Sequence, residues 1–284
     1  MLAAEISIRS GLRDIGVFCA IDGQKERIGS GSPIRLSGLS LVAGVIHTAN
    51  GPLGPMRFGE FLEYSHGETK TVNKVAAGGT IFGDGKVDAL GVGGFFKMAF
   101  PTMGIGRPRV DGLLRLGELQ NKWKSKNLGG DGPAKFSGTP SYQSIQFGVS
   151  YGANLWEKYS IDLYGRYFWT RLDERTLDFL DEEQATFQAL NSHRLRFGGR
   201  LRYAIDYRLM SWCESYFERE MAGTAKGFSG GSTNFSFPLK GNCGTCAVGV
   251  AYRPIPTAKV HVALRGSVGS RKGIDASLQA SYEF

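Results

Sequence analysis

Residues 273–284 read Gly-Ile-Asp-Ala-Ser-Leu-Gln-Ala-Ser-Tyr-Glu-Phe. Apolar and polar side chains alternate strictly along this stretch. A β-strand would therefore turn every apolar side chain to one face and every polar side chain to the other. A terminal strand with one apolar face and one wet face favours a sheet without open edges. The stretch thus predicts a closed β-barrel.

The same period-two alternation recurs along the whole chain. It is most regular over 192–204, where four arginines share one face and apolar side chains the other. Such a face suits a water-filled lumen whose outside contacts lipid, whereas small water-soluble barrels have apolar interiors. The alternation predicts about twelve strands, an even number as in single-chain bacterial membrane barrels. The predicted strands are 15–21, 36–48, 56–65, 86–99, 109–120, 142–155, 160–171, 192–204, 209–218, 245–253, 259–269 and 273–284.

The composition is compatible with this class of protein. No run of about 18 apolar residues occurs, which excludes a transmembrane helix, whereas a barrel strand needs only about ten alternating residues. The formal net charge is +8, but the basic residues are spread along the predicted strands. We therefore expect no nucleic-acid partner. The predicted fold is all-β, a transmembrane up-and-down antiparallel β-barrel of about twelve strands.

The connections between the predicted strands alternate in length. Membrane barrels of this kind have short periplasmic turns and long outer loops. The short connections contain turn residues such as Asn50-Gly51. The predicted short connections are 49–55, 100–108, 156–159, 205–208 and 254–258, and the long ones are 22–35, 66–85, 121–141, 172–191 and 219–244.

One carboxylate departs from the pattern. Glu60 lies between Phe58 and Leu62 on the face assigned to lipid. A charge at mid-membrane costs on the order of a few kcal/mol. Either Glu60 lies near a membrane interface, or the predicted register is wrong by one residue.

Several short motifs follow one another in a characteristic order. They are Gly59-Glu-Phe-Leu-Glu-Tyr-Ser-His-Gly67, Gly148-Val-Ser-Tyr-Gly152, Asp162-Leu-Tyr-Gly-Arg-Tyr-Phe-Trp-Thr170, Asn191-Ser-His-Arg-Leu-Arg-Phe-Gly-Gly-Arg200, Gly266-Ser-Val-Gly-Ser-Arg-Lys-Gly273 and the terminal Tyr282-Glu-Phe284. Each motif alone is weak. In their order and spacing, from about residue 12 to 284, they resemble the C-terminal translocator domain of bacterial autotransporters, the barrels of type V secretion.

The resemblance implies how the chain is divided and what it does. Residues 1–12 would be the remnant of a linker and lumenal helix, and 13–284 the barrel. The barrel would anchor an upstream passenger in the bacterial outer membrane and translocate it to the cell surface, as a monomer without catalytic group or cofactor. Its partners would be outer-membrane lipid, its own passenger, the barrel-assembly machinery and periplasmic chaperones. Because no signal peptide is recognisable after Met1, we expect the sequence to be a fragment of a longer precursor.

Two groups of residues are candidates for function. Charged side chains on the predicted inner face would either hold the passenger's connecting segment or form salt bridges that fix the barrel's shape, and the residue types fit both. Leu278, Tyr282 and Phe284 resemble the C-terminal signal of outer-membrane barrels, although an aromatic at the membrane interface would look the same. The lumenal candidates are Glu63, Asp162, Arg166, Arg194, Arg196, Arg200, Glu214 and Arg265.

Other functions stay open at this point. A free-standing outer-membrane barrel, acting as a porin or adhesin, is one alternative. A barrel hydrolase is another, and its sequence-local candidate is His66 beside Ser65 and Glu68. The spacing of histidines and cysteines predicts no metal site. Cys243-Gly-Thr-Cys246 is either apolar filler in a strand or a local disulfide.

The sharpest structural prediction concerns closure of the barrel. The last predicted strand, 273–284, should pair antiparallel with the first, 15–21. The polar row from Asp275 to Glu283 should then face the lumen.

Overall fold

The computed structural model describes residues 15–29, 34–51, 53–74, 80–125, 134–178, 184–229 and 233–284. The predicted remnant of a linker and lumenal helix over 1–12 lies outside these residues. Within them, no helix is long and apolar enough to cross a membrane.

The described chain is built from β-strands. In chain order they are β1 (Ile15–Ile28), β2 (Ile34–Gly51), β3 (Gly54–Lys74), β4 (Thr80–Ala99), β5 (Gly106–Ser125), β6 (Ala134–Gly138), β7 (Ser141–Trp156), β8 (Tyr159–Leu172), β9 (Arg175–Asp178), β10 (Gln184–Phe187), β11 (Leu190–Ala204), β12 (Leu209–Ala222), β13 (Thr224–Ser229), β14 (Thr233–Pro238), β15 (Gly241–Tyr252), β16 (Ala258–Gly269) and β17 (Arg271–Glu283).

Twelve long strands close into one antiparallel barrel, which confirms the predicted fold class. Every strand except the short β6, β9, β10, β13 and β14 pairs with a barrel neighbour on each side. The closing pairing joins β1 to β17 in an unbroken antiparallel register from Gly16 opposite Glu283 to Ile28 opposite Arg271. The predicted seam is thereby confirmed. The twelve predicted stretches lie in these strands except for their end residues Arg253 and Phe284, which fall one residue beyond β15 and β17.

The alternation along each strand separates two environments. On β17, Ile274 and Leu278 point outward and are 68% and 46% exposed, while Asp275 and Ser277 turn into the lumen. The same division holds around the barrel. We call the exposed outward side chains of its middle the apolar belt; it includes Val17, Ile21, Leu39, Leu41, Leu62, Leu90, Val92, Leu114, Leu116, Ile145, Phe147, Leu163, Phe197, Leu201, Val248, Val250, Val262, Leu264, Ile274 and Leu278.

The two ends of the barrel differ. At one end, called here the short-turn end, the chain reverses in tight turns. In the turn between β11 and β12, the Asp206 carboxylate accepts bonds from the backbone N–H of Arg208 at 2.6 Å and Leu209 at 2.8 Å. These bonds hold the pKa of Asp206 below its usual value. At the other end, called the hairpin end, the strands run well past the belt.

The predicted long connections are partly wrong. Paired backbone continues through most of 22–35 and 66–85, so that β3 extends to Lys74. Five short strands also lie within the other predicted loops: β6 lengthens the sheet beside β5, and β9, β10, β13 and β14 form a separate four-stranded sheet. The extended parts of β1 and β3 carry polar side chains on both faces. The alternation of hydrophobicity therefore disappears although backbone pairing goes on.

Glu60 lies on the outer face in the row of Phe58 and Leu62, so the predicted register is right. Its carboxylate lies 3.7 Å from Nε2 of His47 on β2. The His47 ring stacks on Phe58 with ring centroids 5.3 Å apart. An exposed acid in the belt thus lies beside the imidazole of His47.

The seam can be tested with one new thiol. Cys19 is an exposed free cysteine directly opposite Ala280 across the seam. Opposite residues of an antiparallel pair have Cα atoms about 4.5–5.5 Å apart, within the range of disulfides. In a background in which Cys213, Cys243 and Cys246 are serine, Ala280→Cys should form a disulfide with Cys19 under mild oxidation, detected by mass spectrometry of the folded barrel.

The matched control for this cross-link is Ala276→Cys. It lies on the same face of β17 but opposite Gly23, four residues from the row of Cys19. That offset separates the thiols by about 13 Å along the strand. Equal cross-linking of the two variants, or none with Ala280→Cys, would contradict the register of the seam.

Candidate functional site in the barrel lumen

The inner wall of the barrel carries a lumenal ion-pair network. Each charged side chain assigned to the lumen from the sequence faces inward and lies near an oppositely charged side chain of the same wall. The carboxylates Glu63, Asp162 and Glu214 are buried. The structure thus brings these residues together as pairs along the wall, in several cases across an intervening strand, and it adds partners that sequence reasoning did not select.

The most buried acid of the network is Glu218 on β12, which is 1% exposed. Arg194 and Arg196 of β11 approach it at 3.4 and 2.7 Å, and Arg271 of β17 also donates to it. One carboxylate therefore contacts three guanidinium groups, and Glu220 lies 3.8 Å from Arg194 as a second acid. The alternation could have revealed Glu218, because it lies four residues after Glu214 on the same face of one strand.

Aromatic rings complete the surroundings of these arginines. The Arg196 guanidinium lies 4.3 Å from the ring centroid of Tyr216 and 4.8 Å from that of Phe168. Arg194 lies 5.2 Å from the Phe168 ring. Rings of this kind attract cations through their electron-rich faces. The arginines are thereby fixed in position against the wall.

A second cluster is centred on Glu214. Nη2 of Arg200 donates to its carboxylate at 2.7 Å, and the Tyr164 hydroxyl donates to the other oxygen. The Arg200 guanidinium also lies 4.3 Å from the Trp212 ring. This acid, predicted from the sequence, is satisfied by Arg200 on the neighbouring strand β11 and by Tyr164 on β8, the strand beyond β11.

Further pairs lie nearer the short-turn end and the seam. Asp162 bonds with Arg109 and Arg202, and Arg166 lies 3.6 Å from Asp111. At the seam, Arg265 of β16 lies 3.7 Å from Asp22 of β1.

Glu63 on β3 receives two donors. Nη1 of Arg115 lies 3.1 Å from one carboxylate oxygen, and the Tyr142 hydroxyl donates to the other at 2.5 Å. Arg115 on β5 reaches Glu63 across β4, and Tyr142 on β7 reaches it across β4 and β5. A set of wall pairs of this kind fixes the shape of the lumen and keeps its surface polar.

Ser65 and His66, the candidates for a hydrolase site, do not contact each other. Ser65 turns inward, where its hydroxyl donates to Oγ of Ser40 at 2.8 Å. His66 turns outward, where its Nδ1 lies 2.6 Å from Asp88. Neighbouring residues of a strand point to opposite faces, so Ser65 cannot be activated by His66. Within the described residues, no group of three or more potential ligands could hold a metal ion.

The two cysteines of the Cys243-Gly-Thr-Cys246 motif lie on opposite faces. Cys243 is buried in the lumen, Cys246 is exposed outside, and both are free thiols. An odd spacing in a strand separates side chains in this way. The alternative of a local disulfide is therefore wrong.

The terminal aromatics lie on the outer face at the short-turn end. The backbone N–H of Phe284 donates to the carbonyl of Ile15 at 3.0 Å, which ties the last residue to the first described one. The rings of Tyr282 and Phe284 meet edge to face with centroids 5.1 Å apart. Leu278 lies on the same outer row. These three side chains are thus accessible to a partner.

Comparison with known proteins adds fold-level relationships. The sequence matches no protein-family model and no curated protein. The translocator domain of the autotransporter NalP from Neisseria meningitidis matches with a TM-score of 0.71 and 12% identity, covering 95% of this chain and 88% of that one. The transport unit of the autotransporter AIDA-I from Escherichia coli matches with a TM-score of 0.72 and 12% identity, covering 100% and 93%.

A channel also has a related architecture. An outer membrane channel from Pseudomonas putida F1 matches with a TM-score of 0.55 and 12% identity, covering 98% of this chain and 100% of that one. Identities this low establish architecture only. The protein has the fold of autotransporter translocator domains, a closed antiparallel barrel of twelve strands.

Proposed function

We propose that this chain is a bacterial outer-membrane barrel that anchors an upstream passenger and translocates it to the cell surface. The observation that carries the proposal is the combination of an apolar belt outside with a paired, charged wall inside. Each half of that combination requires a different solvent, lipid outside and water inside.

The belt supports the membrane location. Side chains such as Leu62, Leu90 and Ile274 are more than 60% exposed on the outer face, although a protein in water would bury them. Burial of apolar surface is favourable by roughly 25 cal/mol per Å². A ring of such side chains around a closed barrel is therefore stabilised by hydrocarbon, and closure leaves no unpaired strand edge in lipid.

The lumen supports a role as a conduit. Its carboxylates are paired with arginines of the wall, so a passing segment would meet a polar surface with few uncompensated charges. Such a surface hydrates a polypeptide without holding it tightly. In this proposal the pairs fix the barrel's shape and at the same time keep the path of the passenger hydrated.

The direction of the chain supports the orientation. Ile15 begins β1 at the short-turn end, which in this proposal faces the periplasm. A segment preceding β1 therefore starts at the periplasmic mouth of the lumen. The hairpin end then faces the outside of the cell.

Surface display tests the proposal. The full chain should be expressed in a Gram-negative host behind a signal peptide and an epitope-tagged segment that precedes Met1. We expect the epitope to be cleaved by protease added to intact cells, while the same segment exported without the barrel stays protected. A barrel that is folded in the outer membrane with its epitope protected would contradict translocation but not membrane insertion.

The fold similarity to an outer membrane channel favours a second candidate, a free-standing pore. Conductance separates the two functions. A translocator whose lumen is occupied by the segment before β1 should conduct weakly in a planar bilayer. Wide and stable conductance of the full chain would favour the pore.

A further inference from the structure

The outer surface at the hairpin end carries a row of basic residues that are direct cross-strand neighbours. Lys272, Arg27, Arg35 and Lys70 lie opposite one another on β17, β1, β2 and β3. The row continues across β4, β5 and β6 as Asp84, Lys124 and Lys135. Seven adjacent strands thus present six cations and one carboxylate in a single line, the outer basic row.

A second row lies one outward position nearer the belt. It contains Lys25, Lys86 and Lys122, with Glu68 as its carboxylate. Across the two rows, nine cations face two acids. The nine basic side chains are all exposed.

These charges are only partly balanced by the described part of the protein, in which Asp88, one outward position nearer the belt than Lys86, is a third acid. None of the nine lies within 4.0 Å of a described carboxylate oxygen, and Arg27 faces a like charge on each side. Like charges directly opposite in a sheet are destabilising. The lumenal arginines, in contrast, lie against carboxylates of the wall. An anionic partner from outside the barrel would therefore stabilise the two rows.

The other half of the barrel differs at the same level. On the long strands β7, β8, β11, β12, β15 and β16, the outward cations beyond the belt are Arg171 and Arg219. Arg171 is paired with Asp173 at 3.2 Å. On the long strands, the excess of outward positive charge at this level is thus found in one sector, from β17 to β5, and the short β6 extends it.

The rows lie at the edge of the apolar belt and directly beyond it. Lys25 lies directly opposite Ile274 of the belt, and Lys272 is two residues past Ile274. With about 3.3 Å per residue and a strand tilt near 40°, the second offset is about 5 Å along the barrel axis. Headgroups occupy that depth when hydrocarbon surrounds the belt.

We infer that the two rows bind the phosphate groups of anionic lipid headgroups in the leaflet that surrounds the hairpin end. The inference rests on the membrane location in the proposed function. Arginine binds phosphate through two parallel N–H bonds and lysine as a point charge, so the mixed row suits phosphates at several positions. Headgroup phosphates would relieve the repulsion along the row.

The test measures lipid retained by the folded full chain. The chain is folded in dodecyl maltoside micelles containing either bisphosphorylated lipid A or phosphatidylcholine, and bound lipid is counted by native mass spectrometry. The test variant is Arg27→Gln with Arg35→Gln, and the matched control is Arg171→Gln with Arg219→Gln. Both remove two exposed arginines from the hairpin end, and migration on unheated gels verifies folding of each.

We expect the unaltered chain to retain lipid A in preference to phosphatidylcholine, also in the presence of EDTA. The test variant should lose affinity for lipid A roughly 25-fold at low salt, on the order of fivefold per cation. The control variant should change less than twofold, and 0.5 M NaCl should weaken binding because it screens exposed charges.

Several outcomes would overturn the inference. Equal losses in the two variants, equal retention of both lipids, or displacement by millimolar inorganic phosphate would each exclude a headgroup site in this sector. Loss of lipid A with EDTA would instead assign binding to a divalent ion held by Glu68 and Asp84. Insertion into neutral phosphatidylcholine vesicles is measured separately, so that failure to insert counts against the proposed function and lack of lipid preference only against this inference.

Discussion

Replacing Glu218 by glutamine is expected to destabilise the barrel by about 3 kcal/mol, the low end of the range for breaking a buried ion pair from one side. Glutamine keeps the shape of the side chain but leaves Arg194, Arg196 and Arg271 without their shared charge. The three guanidinium groups then repel one another. Equilibrium unfolding in urea, with the barrel in lipid vesicles and followed by tryptophan fluorescence, measures the free energy of unfolding.

The control for this substitution is Glu118→Gln. Glu118 is exposed on the outer face of β5, where removal of a charge should change stability by less than about 0.5 kcal/mol. Combining Glu218→Gln with Arg271→Gln should recover part of the loss, because one uncompensated cation is removed with its partner. A Glu218→Gln barrel as stable as the Glu118→Gln barrel would show that water in the lumen solvates the arginines well enough to replace the carboxylate.

Replacing Phe284 by alanine is expected to lower the amount of barrel in the outer membrane several-fold and to leave folding of the purified chain nearly unchanged. The ring is 60% exposed, so its loss removes little packing. The backbone bond from Phe284 to Ile15 is kept, because alanine retains the N–H. A recognition signal for the assembly machinery would affect only insertion in the cell. An aromatic anchor at the membrane interface would contribute equally to insertion in the cell and to folding of the purified chain.

Tyr252→Ala supplies the comparison. Tyr252 is an outward aromatic at the short-turn end of β15 and is 45% exposed. Quantitative blotting of outer-membrane fractions and refolding into vesicles should be done on both variants. If the two substitutions reduce the outer-membrane level equally, the terminal aromatic is an interfacial anchor and the assembly role fails.

Much of the architecture follows from one local rule. Alternation such as that of Ile274, Asp275 and Ala276 fixes which face is wet, so the strands, the seam and the lumenal position of Glu214 could be predicted from the sequence. The extension of β3 to Lys74 could not, because Glu68 and Lys70 make the outer face as polar as the inner one. Where both faces of a strand contact water, the backbone hydrogen bonds continue, but the sequence no longer alternates between apolar and polar residues.

The pairing of side chains was less predictable than their orientation. That Arg265 faces the lumen follows from its parity in β16, but its contact with Asp22 depends on the closing register of β17 with β1. Likewise, the three cations around Glu218 come from β11 and β17, which lie far apart in sequence. The face to which a side chain points depends only on its position within its own strand. Its ion-pair partner depends on how all strands of the barrel are paired.

The seam between β1 and β17 has a consequence for the timing of folding. The two strands are at opposite ends of the described chain, so the cylinder cannot close until the last strand has arrived. The entropy cost of such a long closure grows only logarithmically with length, but the search for a non-local contact is slow. During that interval both edge strands are open templates for pairing with other chains. Slow closure thus makes the unsealed sheet, rather than the finished barrel, the species at greatest risk of aggregation.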